Sequence, residues 1–398
     1  MSGPVAQRIL HARIAAEAGT IDDGYLDILP DGTIGAFGPM ASLPSGRELP
    51  CLDAAGSWLL PGFIDLHVHG GYGGDFMDAS EASLNDITRF HASRGTTSML
   101  ATTMTATRED LARALQAVQD YRGKGMPYAR LAGVHLEGPF INPVLAGAQD
   151  PKLMLPAQPE WLQEWTEAYP GLIRLLTLAP EMEGAYAFTE MLASRGIVVA
   201  CGHTDATYDQ IQEAVKHGLR HAVHTFNAMK GLHHREPGVV GAVLTEDAIT
   251  AEVIADGIHV HEACIRLLTR TKRLDNLILV TDAISAAGLG DGDYMLGGQD
   301  VVVKDGIARL KVGGNLAGST LTMIDALRFM VERIGLTVEE ASRLASRNPA
   351  RQLGLLEHTG SIASGKTADL LLVSKALEIE QVWVDGRDVW EAGALSRT

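Results

Sequence analysis

The sequence predicts an α/β protein: a (β/α)8 TIM-like barrel with a small β-sandwich domain formed by both termini. Three observations carry this. Short apolar runs alternate with amphipathic helical stretches through the middle of the chain. Several of those runs end in a His, Glu or Asp, as in GFIDLHVHG, AGVHLEGPF, VVACGHTDA, HAVHTFNAM and LILVTDAIS. Both ends of the chain read as short strands and turns without a sustained helical period. A buried strand that ends in a ligand-type residue, repeated around one chain, is how a barrel builds a site at one mouth.

In chain order, residues 1–60 are punctuated by Asp31-Gly32, Ser45-Gly46 and Ala55-Gly56, which mark turns between short strands. Residues 355–398 continue the pattern with strand-like runs and an Asp385-Gly386 turn, so the two ends are expected to form one small domain. Between them, 61–354 supplies barrel strands at 62–67, 96–101, 131–135, 172–178, 197–201, 220–224, 250–255 and 277–281. Helical stretches such as REDLARALQAVQDYRG, YDQIQEAVKHG and HEACIRLLTRTKR fall between them with apolar spacing near 3.6. The segment near 291–319 breaks this rhythm and reads as a β-hairpin excursion, with turns at Asp305-Gly306 and Gly313-Gly314.

Composition narrows the function classes. The 398 residues are enough for a large core and two domains. The longest apolar runs are strand-sized, so no membrane association is expected, and the N-terminus carries no recognisable signal peptide. Three cysteines, Cys51, Cys201 and Cys264, are too few for a disulfide framework and point to a reducing compartment, the cytoplasm. The net charge of −16, with no Lys/Arg cluster, argues against nucleic-acid binding. It leaves room for an anionic small molecule, because a few local Arg and His groups outweigh a diffuse acidic surface.

The candidate chemistry sits at the strand ends. His67 and His69 are two apart, so strand alternation puts both on one face. Glu137, His203, His224 and Asp282 end the third, fifth, sixth and last strands. Imidazole and carboxylate together suit borderline divalent metals, and Glu137 has one oxygen for each of two cations. Asp282 is placed to take a proton from a water and return it to a leaving group. His259, after the seventh strand, is open to metal or substrate. Arg235, in GLHHREPG with His233 and His234, is a candidate anion contact, because guanidinium matches phosphate in bidentate geometry. Singly each of these residues has an ordinary structural reading, as core histidine, loop ion pair or small buried thiol for Cys201. Together, at one mouth, they specify a metal site.

The motifs PGFIDLHVHGGYGGDFMD, GVHLEGPFINP, GHTDATYDQ, HTFNAM, HHREPG, IADGIHVH, LVTDA and LAGSTLTM, in this order, resemble those of the amidohydrolase superfamily and, within it, the N-acetylglucosamine-6-phosphate deacetylase family. The resemblance covers essentially the whole chain. It implies a metal-dependent hydrolase acting on an amino-sugar phosphate, with His67 and His69 on one metal and Asp282 nearby. It further implies Glu137 as the bridging carboxylate and His203 and His224 on a second metal. Having both first-strand histidines favours two divalent ions per chain; zinc, iron, manganese and cobalt all suit such ligands. By the same resemblance Asn227, Ala228, His234, Arg235 and His259 contact the sugar phosphate, Arg235 reaching across a homodimer interface. Leu316, Ala317, Gly318 and Ser319 form the loop over the sugar. Ala148 belongs to the implied substrate contacts, and Gln149 stands where some members present a His to the substrate carbonyl; Gln149 can donate a hydrogen bond but cannot be cationic. Another amidohydrolase activity, on a different sugar or a cyclic amide, is the main alternative, and a non-catalytic sugar-phosphate-binding barrel is a weaker one.

Overall fold

Eight apolar runs form eight parallel strands, each hydrogen-bonded to the next in sequence order. They are Phe63–Asp65, Thr96–Thr102, Arg130–Glu137, Ile173–Leu178, Val198–Cys201, Leu219–Ala222, Thr250–Ile254 and Leu277–Val280. The ring closes just past the strand ends, where the Asp282 N–H donates to His67 O at 2.8 Å and the His69 N–H to Ala283 O at 2.8 Å. This closure sets the first and last candidate ligands side by side. The computed structural model describes residues 6–44 and 50–392, so the expected Ser45-Gly46 turn lies outside the described residues.

Strand alternation sorts the core. In the last strand Ile278 and Val280 pack inside the barrel with Ile64, Leu66, Leu100 and Leu175. Leu277 and Leu279 face outward against the helices. Both faces are buried, which is why these strands read as unbroken apolar runs and not as alternating ones. The helices begin at side-chain caps: Ser80 before Glu81–Ser93, Thr107 before Arg108–Gly123, and a Thr207/Gln210 capping box before Tyr208–Lys216. None of the helices in the described residues is long and apolar enough to cross a membrane.

The excursion differs from the expected hairpin. It is a three-stranded antiparallel sheet of Gly292–Leu296, Gln299–Lys304 and Ile307–Leu310. Its first turn is Gly297-Gly298, both with positive φ, and Asp305-Gly306 makes the second. Gly313-Gly314 lies beyond the last strand, in the segment returning to the barrel mouth.

The termini build one continuous sheet of eight strands, with Trp58–Pro61 between Gln7–Ala16 and Leu370–Val373. The two halves of the sandwich are therefore one sheet folded on itself. The Trp383 indole donates to Gln7, three strands away, at 3.0 Å, and Ile9, Ile14, Leu26, Leu370, Leu372 and Trp383 share one core. Leu59 belongs to that core, whereas its neighbours Trp58 and Leu60 pack with the barrel, and Leu371, Val373, Val382 and Val384 do the same between Leu370, Leu372 and Trp383, so one face of the sheet lies on the barrel. Arg130, at the start of the third barrel strand, adds ion pairs to Asp369 and Asp385 of the sheet.

Candidate active site

His67, His203, His224 and Asp282 share one placement: each lies two residues beyond the last residue of its strand, Asp65, Cys201, Ala222 and Val280. Only Glu137 is itself the final strand residue. The backbone there has left the extended conformation, with φ of 47° at His203, 29° at His224 and 51° at Asp282. A left-handed backbone is costly for any residue with a Cβ and persists where surrounding bonds impose it. Here they do. The Ser319 N–H donates to Asp282 O at 2.7 Å, the Asn142 N–H to His203 O at 2.9 Å, and the Asn227 N–H to His224 O at 2.9 Å.

These turns aim the side chains at one point. Glu137 Oε1 lies 3.2 Å from His67 Nε2, 3.2 Å from His224 Nε2 and 3.4 Å from His203 Nε2. Its Oε2 lies 3.3 Å from His69 Nε2, which is 3.2 Å from Asp282 Oδ1. All six residues are buried.

The outer ring nitrogens fix the tautomers. His203 Nδ1 meets Leu145 O at 2.9 Å and His224 Nδ1 meets Asn227 O at 3.1 Å. A carbonyl only accepts, so each Nδ1 carries the proton and each Nε2 presents a lone pair. His67 Nδ1 meets the Glu252 carboxylate at 2.9 Å with the same result, and its buried Nε2 has no hydrogen-bond partner. The His203 and His224 Nε2 atoms nevertheless lie 3.2 Å apart beside a carboxylate. Lone pairs facing one another among buried side chains call for a cation, and this donor set fits divalent metals in two groups, His67–His69–Asp282 and His67–Glu137–His224. Protons are the alternative. Burial disfavours a charged imidazole, but hydrogen bonds to Asp282 and Glu137 outweigh it and lift His69 to about 9. Burial likewise opposes ionisation of Glu137 and Asp282, yet the histidines hold both carboxyls below the usual range.

Above this centre opens a cavity of about 360 Å³. His69, Glu137, His203, His224 and Asp282 form its floor, and Ala148, Gln149, Asn227, Ala228, His259, Leu316 and Gly318 line it. Gln149 is wired into the floor: its Oε1 accepts from the Thr105 N–H at 2.6 Å and its Nε2 donates to Glu137 Oε2 at 2.7 Å. His259 is not among the converging ligands. Its Nδ1 is tied to Asp256 at 2.6 Å, while the buried Nε2 has no partner.

Four expected substrate contacts lie elsewhere. Ala317 is fully buried against the excursion sheet, and the Ser319 hydroxyl donates to Thr281 O at 2.5 Å, so both support the loop from behind. His234 and Arg235 are exposed, and Arg235 Nη1 meets His234 Nε2 at 2.7 Å, outside the residues that line the cavity of this chain. Cys201 is fully buried in the apolar core outside the cavity, and burial pushes its thiol up to about 12.

Residues 58–389 match the model of the amidohydrolase family. The chain belongs to that family. This amidohydrolase is 40% identical to the N-acetylglucosamine-6-phosphate deacetylase of Bacillus subtilis (strain 168) over 92% of each chain. It is 38% identical to the N-acetylgalactosamine-6-phosphate deacetylase of Escherichia coli O157:H7, over 94% of this chain and 97% of that one. Its fold matches an N-acetyl-D-glucosamine-6-phosphate deacetylase mutant of Mycobacterium smegmatis, solved in complex with N-acetyl-D-glucosamine-6-phosphate. The TM-score is 0.90 at 34% identity, covering 97% of this chain and 100% of that one. The deacetylase of Thermotoga maritima gives 0.86 at 33% identity, with 97% and 100% covered.

Sequence reasoning missed part of this amidohydrolase's site. Met104, Leu296 and Asn315 line the cavity without any motif to mark them. Glu252 was visible, as a lone charge inside the apolar run TAEVIA, and its contact with His67 needed the fold.

Proposed function

We propose that this amidohydrolase cleaves the acetamide of N-acetyl-D-glucosamine 6-phosphate, giving D-glucosamine 6-phosphate and acetate, in amino-sugar catabolism and cell-wall sugar recycling. The observation that carries the reading is the convergence of four imidazoles and two carboxylates at and just beneath the floor of a sugar-sized cavity, in a chain whose full-length relatives bear that activity.

His67, His69 and Asp282 would hold one divalent ion and His203 and His224 a second, with the Glu137 carboxylate available to both. Bound there, such ions polarise an amide carbonyl and acidify a water. Asp282 starts as a carboxylate, because the neighbouring imidazoles outweigh burial and keep its pKa low. It takes the proton of the attacking water and delivers it to the amine nitrogen as the C–N bond breaks. Gln149 holds the Glu137 carboxylate in place. His259, braced by Asp256, turns Nε2 to the sugar phosphate, with Asn227 and Ala228 beside it. Arg235 reaches the phosphate of a neighbouring subunit, which suits an exposed guanidinium away from its own cavity and makes the working form a homodimer. The sparse, unpaired cysteines suit a cytoplasmic enzyme.

The test is acetate release by purified, metal-quantified protein from the phosphorylated and unphosphorylated sugars. Fast release from the phosphorylated sugar alone supports the reading; release from neither, with two metals bound, refutes the substrate. The relative that acts on the galactosamine epimer favours a second reading, in which that phosphate is the better substrate. A comparison of kcat/KM for the two epimers decides between them. Mixing inactive Arg235→Ala and Asp282→Asn subunits restores turnover if the arginine acts in trans.

A further inference from the structure

Glu252 takes no part in the chemistry above. It lies in the middle of the seventh barrel strand, and its neighbours Ala251 and Val253 pack outward, so its side chain falls on the inward register with Ile254. It is fully buried. A lone carboxylate inside a barrel is strongly disfavoured unless each oxygen is paired. Both are. Oε2 accepts from His67 Nδ1 at 2.9 Å and from the backbone N–H of His224 at 3.2 Å. Oε1 meets His221 Nε2 at 2.8 Å, and the Thr225 N–H donates to the Glu252 carbonyl at 2.9 Å. One carboxylate oxygen thus touches a ligand of each proposed metal position: the ring of His67 and the strained backbone of His224, whose φ is 29°.

We infer that Glu252 is a positioning residue for the metal pair. It keeps His67 in the Nδ1–H form with its Nε2 lone pair toward Glu137 and Asp282, and it pins the turn that presents His224. Carboxylate–histidine pairs of this kind orient a ligand and raise its basicity. Glu252 is the carboxylate that meets His67 Nδ1, while the other ring nitrogen faces Glu137 and Asp282 in the site. The inference rests on the metal-centre reading above.

The experiment measures zinc affinity by chelator competition for wild type, Glu252→Gln, Glu252→Asp and Glu252→Gln/His67→Gln. Thermal unfolding of each metal-free protein is followed in parallel. Glu252→Gln keeps the size of the side chain but offers one acceptor oxygen where the donors need two. It is expected to weaken the looser zinc about 10–100-fold, with Glu252→Asp intermediate. In the His67→Gln background the Glu252 effect should largely vanish, as coupled residues require. Unchanged zinc affinity in folded Glu252→Gln, or lowered metal-free stability with zinc affinity intact, would overturn the assignment. Should the variants not fold, nitrogen-15 imidazole spectra of zinc-loaded wild type give the same decision. A His67 protonated at Nδ1 and ligating through Nε2 is expected, and ligation through Nδ1 overturns the inference. Wild-type protein that binds no divalent ion would instead sink the metal reading itself.

Discussion

The barrel mouth and the terminal sheet treat buried polar groups in opposite ways. In the sheet, Arg8 and Asp27 form a bidentate buried pair with Nε–Oδ1 at 2.6 Å and Nη2–Oδ2 at 2.9 Å, and Asp369 is held by Arg130 and Thr359. Among the described residues, no buried side-chain nitrogen or oxygen of the terminal strands lacks a partner. At the mouth, His67 Nε2, His69 Nδ1 and His259 Nε2 are buried and unpartnered. Three of the converging side chains also sit on left-handed backbone. The difference separates polar groups that hold the chain together from polar groups kept open for something outside it.

That contrast can be broken by substitution. The largest effect belongs to the mouth: Asp282→Asn, assayed at saturating metal, should lower kcat by at least about 10²-fold, the lower range for loss of an acid–base group. Near-normal turnover would remove Asp282 from the proton-carrying role. Arg130→Met should do the reverse. It strands Asp369, whose side chain is 1% exposed, and should cost about 3–5 kcal/mol in denaturant unfolding with kcat unchanged. A loss of turnover without a loss of stability would show that the sheet reaches into the chemistry.

The smallest effect is a pH dependence between the two regions. His91 is fully buried, and its Nε2 meets the carbonyl of Gly70, next in the chain to His69, at 2.9 Å. Burial drives its pKa down to about 4, with Arg94 adding to the effect. The unfolded chain therefore takes up this proton first as pH falls. The stability that His91 contributes in its neutral form is complete above about pH 6.5 and declines toward pH 4, by up to about 3 kcal/mol. Unfolding of His91→Gln measured in that window should show a shallower slope than wild type, and an identical slope would clear His91 of any part in acid sensitivity.

How much of this was legible depended on whether a residue's signal is local. The barrel strands were, because both faces are buried and apolar runs such as LILV stand out between helical periods. So were the metal-type ligands, because a His or Asp directly after an apolar run is conspicuous. Their placement two residues past the strand was not, since departure into left-handed φ is imposed by partners such as Ser319 that lie far along the chain. The Gly297-Gly298 turn was passed over in favour of Gly313-Gly314, as two glycine pairs look alike until strand register separates them. The inward role of Ala317 and Ser319 was hidden for a related reason: in a loop of small residues, the sequence does not say which side faces the cavity.

The strand Trp58–Pro61 sits between one neighbour that precedes it and another, Leu370–Val373, that follows more than three hundred residues later. On a ribosome adding about 5–20 residues per second, the edge that Leu371 covers stays open for roughly 15–60 s while the barrel emerges. The sheet is thus a clasp whose second half is made last, and it cannot close until the whole barrel sequence has been synthesised.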